Sequence, residues 1–296
     1  MTWINWNSQY ADVNNIRMHY VREGDPSKPA LILLHGWPEF WFAWSKVIPA
    51  LSEDFDVIAP DLRGFGDTDK PEGAALERYR PEDHVDDILG LIDVLGLKDV
   101  GIVTHDVGAM VTQALGQKAP EKLRGLFFFN CPYPGIGPRW CAPKHLNDIW
   151  YQGFHQQPWA AELLATSRDA IRIYFGNMLR DWAHDATSFT DDDVEMWTEN
   201  FSKPGNLQGG FNWYSAVFPR RLKIMEGTAP APVPINVPTC IRWGEYEPFM
   251  LIEYADRLGE YFSDLDFKPA PDAGHFVHWE TPDFAIREIK GFFGKL

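Results

Sequence analysis

The chain has 296 residues, of which 45% are hydrophobic and 15% aromatic, so it is long and apolar enough for a large core in one compact unit. Its formal net charge is −15. Nucleic acids, anionic membranes and acidic polymers select for basic surfaces, and the charge therefore excludes them as expected partners. Cys131, Cys141 and Cys240 have neither metal-site spacing nor an even number, so we expect reduced thiols, no metal and no cofactor.

The sequence carries no signal for a membrane-associated location. Residues 1–6 contain neither a basic cluster nor a continuous apolar run, and no later run approaches the ~18 apolar residues of a membrane span. We therefore expect a cytoplasmic protein. The sequence does not determine the oligomeric state, and a homodimer is left open.

Short apolar runs alternate with amphipathic segments along most of the chain, which is typical of an α/β sheet. Asn14 and Asn15 predict the turn of an opening hairpin within residues 13–21. Further strands are predicted at 30–34, 56–59, 99–103, 123–129, 239–243 and 264–267. We expect these to be mostly parallel and buried on both faces. Helical spacing predicts flanking helices at 41–52 and 84–95.

The strand alternation stops between about residues 132 and 222, where long helical patterns rich in aromatic residues follow one another. We predict that 132–222 forms a helical cap inserted into a core made of residues 1–131 and 223–296. The alternating Ala and Pro residues at 229–234 predict a stiff, extended connector back to the core.

Four polar pieces each follow a predicted strand. In chain order they are His35-Gly36-Trp37-Pro38, Asp106, Glu247 and His275. Open α/β sheets bind their ligands at the carboxyl ends of parallel strands. We therefore expect the four pieces to meet at one site.

Asp106 is the centre of His105-Asp106-Val107, which lies where the apolar strand at 99–103 meets a helix start made of small residues, Gly108-Ala109-Met110. A sharp strand-to-helix turn lifts its central side chain clear of the sheet, and the helix N-terminus favours negative charge. Asp106 is therefore the candidate nucleophile. An ordinary N-cap aspartate is the alternative for a carboxylate at this place.

With this order of nucleophile, acid and histidine, the chain resembles the α/β-hydrolase-fold epoxide hydrolases from about Ala30 to its C-terminus. The resemblance implies a mostly parallel central sheet flanked by helices, with an inserted cap. An aspartate at the elbow, where esterases carry Ser, implies attack on a saturated carbon and an alkyl ester that water then hydrolyses. Thr104 stands where the family usually has glycine, which leaves the geometry of the elbow open.

Two predicted cap segments resemble those that present ring-opening tyrosines in this family. They are Tyr151-Gln152-Gly153-Phe154-His155-Gln156-Gln157-Pro158 and Asn212-Trp213-Tyr214. By this resemblance, Tyr151 and Tyr214 hold and protonate the epoxide oxygen, which stays attached as an alkoxide and needs hydrogen-bond donors. A half-buried structural role is the alternative for each tyrosine.

The resemblance also implies that His275, oriented by Glu247, activates the hydrolytic water. Glu245 is close enough in the sequence to compete as the acid, and His278 competes as the base. Asn130 occupies the other position at which relatives place the acid, and it offers no carboxylate.

The backbone N–H groups of Trp37 and Val107 are the expected oxyanion hole. The neighbouring residues that we expect to support this loop and the elbow are His35, Gly36, Pro38 and His105.

Aromatic residues predict an apolar pocket for a neutral, hydrophobic epoxide that reacts with water. The candidate lining residues are Phe40, Trp41, Trp150, Phe154 and Trp213. Val107 and Met110 stand where fluoroacetate dehalogenases carry arginines, which disfavours an acidic substrate. A haloalkane or haloacetate dehalogenase of the same fold and a non-catalytic ligand receptor are the alternatives.

Overall fold

A computed structural model describes residues 5–296 of the chain, so residues 1–4 of the predicted core lie outside the described part. Its strands are β1 (Ser8–Val13), β2 (Ile16–Glu23), β3 (Ala30–Leu34), β4 (Asp56–Pro60), β5 (Val100–His105), β6 (Leu123–Phe129), β7 (Thr239–Gly244) and β8 (Leu265–Ala270). They form one eight-stranded sheet in the order β1-β2-β4-β3-β5-β6-β7-β8.

The sheet is mostly parallel, as predicted. Among the described strands, only β2 runs against the rest: it is antiparallel to both of its neighbours, β1 and β4, and the remaining neighbours pair in parallel. The hairpin turns at Asn14 and Asn15, which both have positive φ. The carboxyl ends of β3, β5, β6, β7 and β8 therefore meet along one edge of the sheet.

Burial on both faces holds for the central strands but is wrong for β8. Leu31 and Leu33 pack into the hydrophobic cluster on one face of the sheet, while Ile32 and Leu34 pack into the cluster on the other. In β8, by contrast, only Ala270 is buried. This strand is last in the sheet order and pairs only with β7, so one of its sides has no neighbouring strand.

Helices make up the rest of the regular structure of residues 5–296. In the described part of the chain they are α1 (Ile48–Leu51), α2 (Ala75–Arg78), α3 (Pro81–Val94), α4 (Val107–Lys118), α5 (Pro143–Asp148), α6 (Trp150–His155), α7 (Ala160–Leu164), α8 (Arg168–Trp182), α9 (Asp191–Ser202), α10 (Asn206–Met225), α11 (Val277–Glu280) and α12 (Pro282–Phe293). Of these, α3 and α4 pack directly against strands of the sheet. Turns of 3-10 helix occur at Trp41–Trp44, Pro120–Lys122, Pro134–Cys141, Ala186–Ser188 and Ile252–Glu260.

The predicted helix at 41–52 is wrong as one continuous element. A 3-10 turn at Trp41–Trp44 is followed, after a break, by α1. Pro49 lies in the first turn of α1. Proline has no N–H and its ring clashes with the carbonyl four residues earlier, so a helix restarts at such a position rather than running through it.

All regular elements described between β6 and β7 are helical, and we call the stretch from Pro134 to Met225 the helical segment. Its last helix, α10, runs past the predicted boundary at 222, because Ile224 in its final turn is still buried. Among the described residues, no helix combines the length and the apolar character needed to cross a bilayer. All three cysteines are free.

Candidate active site

The turn from β5 to α4 holds Asp106 in a strained backbone conformation, with φ 45° and ψ −109°. Its side chain makes no hydrogen bond to the helix N-terminus, so Asp106 does not act as a capping residue. Thr104 fits in this turn because position 108 is a glycine. A Cβ at position 108 would lie 2.5 Å from the Thr104 hydroxyl oxygen, which is too close. The elbow therefore leaves the Asp106 carboxylate free for other contacts.

The loop after β3 approaches this carboxylate closely. A Cβ at position 36 would lie 2.6 Å from the Cβ of Asp106, so Gly36 is what lets the two loops meet. The backbone N–H of Trp37 then donates a hydrogen bond to Asp106 Oδ1 at 3.0 Å. Val107, the first residue of α4, lies beside Asp106 on the wall of a cavity described below.

His35 and Pro38 fix the ends of this loop. The His35 ring is fully buried; its Nδ1 donates to the Gly36 carbonyl at 2.9 Å and its Nε2 accepts from the Leu62 N–H at 3.0 Å. The Pro38 carbonyl accepts from the indole N–H of Trp197 at 2.7 Å, which ties the loop to helix α9. These contacts position the Trp37 N–H.

His275 and Glu247 form a buried pair at the ends of β8 and β7. His275 Nδ1 lies 2.7 Å from Glu247 Oε2, and both side chains are buried. The backbone N–H groups of Phe249 and Met250 donate to the other carboxylate oxygen, each at 3.3 Å. Glu245 is exposed, so the structure pairs His275 with Glu247 rather than with the competing acid.

The electrostatic surroundings of His275 favour its protonated form. Burial alone would lower its pKa, but the charge and hydrogen bond of Glu247, together with the charge of Asp106, outweigh burial and raise the pKa to about 9. Its second nitrogen, Nε2, is buried and has no hydrogen-bond partner among residues 5–296. Nε2 is therefore free to bind a water molecule or a proton.

The loop that carries His275 is held by buried polar groups from two other strand ends. The Asn130 amide donates to the carbonyls of Gly274 and His275 at 3.0 and 2.7 Å, and its oxygen accepts from the Gly244 N–H at 2.7 Å. His105 Nε2 donates to the same His275 carbonyl at 2.8 Å. The backbone of His275 is thus locked to the elbow strand.

Glu39 links the loop after β3 to the histidine loop. Its carboxylate accepts from the Gly36 N–H at 2.6 Å, and it lies 2.8 Å from His105 Nδ1 and 3.0 Å from His278 Nε2. Burial lowers the pKa of His278 to about 4. These three side chains are ligand types that a metal ion can use. Here Glu39 is hydrogen-bonded to the Gly36 N–H and to His105 and lies close to His278, so the three groups pack together behind the site. The histidine within hydrogen-bond distance of Glu247 is His275 rather than His278.

Two phenol groups from the helical segment face the elbow. Tyr151 on α6 and Tyr214 on α10 are buried, with ring centroids 5.9 Å apart and ring planes 89° apart. Burial raises the pKa of both phenols, and the charge of Asp106 adds to the rise. Both tyrosines therefore stay protonated near neutral pH and can act as hydrogen-bond donors.

A cavity of about 70 Å³ connects the Asp106 carboxylate with the two phenols. Asp106, Tyr151 and Tyr214 all line it, and so does the predicted Trp213. The remaining walls are mostly apolar and include Val217, Ile224, Phe249 and Met250. The site therefore combines a carboxylate and two phenols with an apolar lining.

Four of the predicted aromatic lining residues lie away from this cavity, and that part of the pocket prediction needs correction. Phe40 and Trp41 pack against each other and against aromatic neighbours on the core side. Trp150 is 57% exposed and, with Phe154, packs against Tyr174 on the outside of the helical segment. In so aromatic a chain, most of these side chains pack against one another rather than face the cavity.

Two residues near the site are not among those that the sequence motifs predict. Glu39 directly follows His35-Gly36-Trp37-Pro38, and its position next to that motif is the signal that could have found it. Arg221 lines the cavity and lies seven positions after Tyr214, a spacing that puts both on one face of a helix.

Comparisons with known proteins agree with this architecture. The alpha/beta hydrolase fold family matches residues 29–282. A soluble epoxide hydrolase from Corynebacterium sp. (strain C12) is 32% identical over 97% of this chain and 96% of its own length. Human epoxide hydrolase 4 is 28% identical over 94% of this chain and 76% of its own length.

The crystal structure of epoxide hydrolase VrEH1 from Vigna radiata superimposes with a TM-score of 0.82, at 26% identity and 98% coverage of both chains. The chain therefore belongs to the α/β hydrolase fold family, within the group of the epoxide hydrolases.

Proposed function

We propose that the protein hydrolyses an epoxide to a vicinal diol through an ester on Asp106. The carboxylate attacks one ring carbon from the side opposite the C–O bond, which breaks, and its electron pair moves to the epoxide oxygen. The Trp37 N–H, which donates to Asp106 Oδ1 at 3.0 Å, orients the carboxylate for this attack. The strained elbow and the missing Cβ of Gly36 support this role.

Tyr151 and Tyr214 activate the epoxide oxygen in this proposal. The oxygen becomes an alkoxide when the ring opens, and two protonated phenols can share that charge and supply a proton. Their raised pKa values support the role, because a phenol that stays protonated while it is buried remains a donor. A halide leaving group would need no such proton.

His275 and Glu247 hydrolyse the ester in the second step. Neutral His275 takes a proton from water at Nε2 while the water oxygen attacks the Asp106 carbonyl. The tetrahedral intermediate then breaks its bond to the substrate oxygen, which takes the proton from His275 and leaves as the diol. The proton that remains on the Asp106 carboxyl returns to the phenolate formed in the first step, which restores the starting state of the site. Esterification removes the charge of Asp106, one of the groups that raise the pKa of His275. The pKa of the histidine therefore falls when it must act as a base. The N–H groups of Trp37 and Val107 stabilise the oxyanion.

The helical segment acts as a cap in this reaction. Its tyrosines come from α6 and α10, whereas the nucleophile and the base come from the ends of β5 and β8. Substrate binds between the two, in the mostly apolar cavity that Trp213 and Val217 help to line. We assign residues 132–222 to this cap, with its last helix continuing to Met225.

The observation that carries the proposal is one cavity shared by a carboxylate at a strained elbow and two buried phenols. The test compares a styrene-type epoxide, a haloalkane and a haloacetate, with the products identified. We expect a diol from the epoxide and no halide from the other two. Halide release without diol formation would favour the dehalogenase instead, and binding without any product would favour a receptor.

A further inference from the structure

The cavity contains a cation that the proposed reaction does not use. Arg221 lies on α10, and its guanidinium Nη2 is buried without a hydrogen-bond partner in the described part of the chain. Among the ion pairs formed within residues 5–296, none involves Arg221, whereas Arg22, Arg63 and Arg242 each pair with a carboxylate. The Arg221 side chain as a whole is half-buried, but a buried donor of a cation that is left without a partner is costly, so this position calls for a physical explanation.

Contacts within the chain satisfy Arg221 only in part. Its guanidinium carbon lies 4.1 Å from the centroid of the Trp140 ring, a cation–π contact that stabilises the charge but fills no N–H donor. Burial lowers the pKa of Arg221, and the charge of Asp106 acts in the opposite direction without an ion pair. The guanidinium thus has free donors at the wall of a site built for a small molecule.

The position of Arg221 on α10 sets where a ligand could meet it. Tyr214, Val217 and Arg221 follow one another at helical spacing, and all three line the cavity. Seven residues of helix correspond to ~10 Å along the axis between Tyr214 and Arg221. An apolar stretch that includes Val217 therefore lies between the two polar positions.

We propose that Arg221 binds a carboxylate on the substrate, so that the natural substrate is an epoxide joined by a short apolar spacer to an acid. The inference rests on the proposed epoxide hydrolysis and names its substrate class. Arginine presents paired N–H donors that match a carboxylate, and such a charge-assisted pair is stronger in a partly buried site than in water. It replaces the expectation of a neutral substrate, which rested on the aromatic pocket lining and on the absence of arginine at positions 107 and 110.

The net negative charge of the chain, −15, does not prevent a carboxylate from binding at Arg221. At physiological ionic strength, charges separated by more than about 8 Å are largely screened, so local groups decide what binds in the cavity. Arg220 lines the same cavity next to Arg221 and adds a second positive charge. Asp106 is at the reacting end, and its charge is removed when the ester forms.

The test uses terminal epoxyalkanoates of increasing chain length, each paired with its methyl ester, and styrene oxide as a neutral reference. The acid-to-ester ratio of kcat/KM is measured for the wild type, for Arg221→Met and for Lys223→Met. Lys223 is exposed on the same helix and does not line the cavity, so its change removes one charge without touching the site.

We expect the wild type to favour the acid by at least about tenfold at one chain length, and Arg221→Met to remove that preference while Lys223→Met keeps it. A ratio near one at every chain length, or an equal ratio in the wild type and Arg221→Met, overturns the inference. Diol from styrene oxide in those same assays shows that the proposed function stands even then. No diol from any compound counts against the proposed function itself.

Discussion

The two halves of the site are built in different ways. The core half, made of Trp37, Asp106, Glu247 and His275, is positioned by hydrogen bonds between buried strand ends. The helical half, which contributes Tyr151, Tyr214 and Arg221, is held mainly by aromatic packing, with Gln152 as the donor to one phenol.

This difference assigns different tasks to the two halves. Hydrogen bonds have strict geometry, so the core half can keep a nucleophile, a base and an oxyanion donor in fixed relation for a covalent step. Aromatic packing specifies shape and tolerates exchange of side chains of similar volume. We therefore expect substitutions in the core half to abolish chemical steps and those in the helical half to reduce rates and change substrate preference.

The largest effect is expected for the nucleophile. Asp106→Asn should lower turnover of a styrene-type epoxide by at least about 10⁴-fold, because an amide cannot form the ester. Thermal unfolding and substrate binding serve as controls, and both should stay close to those of the wild type. Turnover within tenfold of the wild type would show that the core half does not supply the nucleophile.

Next in size is the base. His275→Gln should leave ring opening in place but slow hydrolysis of the ester by about 10²–10⁴-fold, so that the ester accumulates. Intact-protein mass spectrometry after mixing with epoxide should then show one added substrate mass. The proposed division between the two steps fails if His275→Gln is slow and no adduct forms.

Removal of a phenol donor in the helical half should have a smaller effect on the rate. Tyr151→Phe and Tyr214→Phe should each reduce the rate of ring opening by about 10–10³-fold, and the double variant by more than either. Rapid-quench measurement of ester formation separates this step from hydrolysis. Equal loss in both steps would indicate disturbed packing rather than a lost donor.

The pH dependence distinguishes Glu247 from Glu245. Hydrolysis of the ester needs neutral His275, so the rate of hydrolysis should rise with pH through the pKa of His275. This pKa is about 9 while Asp106 is charged. In the ester Asp106 has no charge, so the pKa of His275 is lower there. Glu247→Gln removes a charge that raises this pKa and should move the rise to lower pH. Glu245→Gln changes an exposed side chain and is the matched control. An unmoved profile in Glu247→Gln would exclude it as the partner of His275.

The smallest effect is expected on stability, when a methyl group is added to a glycine in each half. Gly36→Ala puts a Cβ 2.6 Å from that of Asp106 and should lower the free energy of unfolding by about 1–3 kcal/mol. Gly153 lies on α6 with nothing within 4 Å of its Cβ position, so Gly153→Ala should raise it by about 0.5–1 kcal/mol. Chemical denaturation measures both, and equal changes would contradict the contrast in rigidity.

The sequence predicts the core half well because its residues follow strands with strong apolar patterns. Asp106, Glu247 and His275 each come after such a strand, and parallel pairing brings strand ends together whatever their sequence separation. The pairing of Glu247 rather than Glu245 with His275 depends on which of two nearby side chains turns inward. That choice is made by the loop, where the Phe249 and Met250 N–H groups hold the Glu247 carboxylate.

The helical half is less predictable. Trp150 and Phe154 differ little in type from Trp213, yet only Trp213 lines the cavity, because helix packing decides which face of each helix turns inward. The pairing of helices in space leaves no short motif in the sequence. The unpaired state of Arg221 is likewise a property of the folded chain, since carboxylates elsewhere in the sequence could have neutralised it.

The most direct test of the central claim is one turnover in water enriched in ¹⁸O, followed by mass spectrometry of the peptide that contains residue 106. The water attacks the Asp106 carbonyl, so we expect one ¹⁸O atom in that peptide and none in the first diol formed. Label in the diol together with an unlabelled peptide would mean that water attacks the epoxide directly, and it would contradict the covalent role of Asp106.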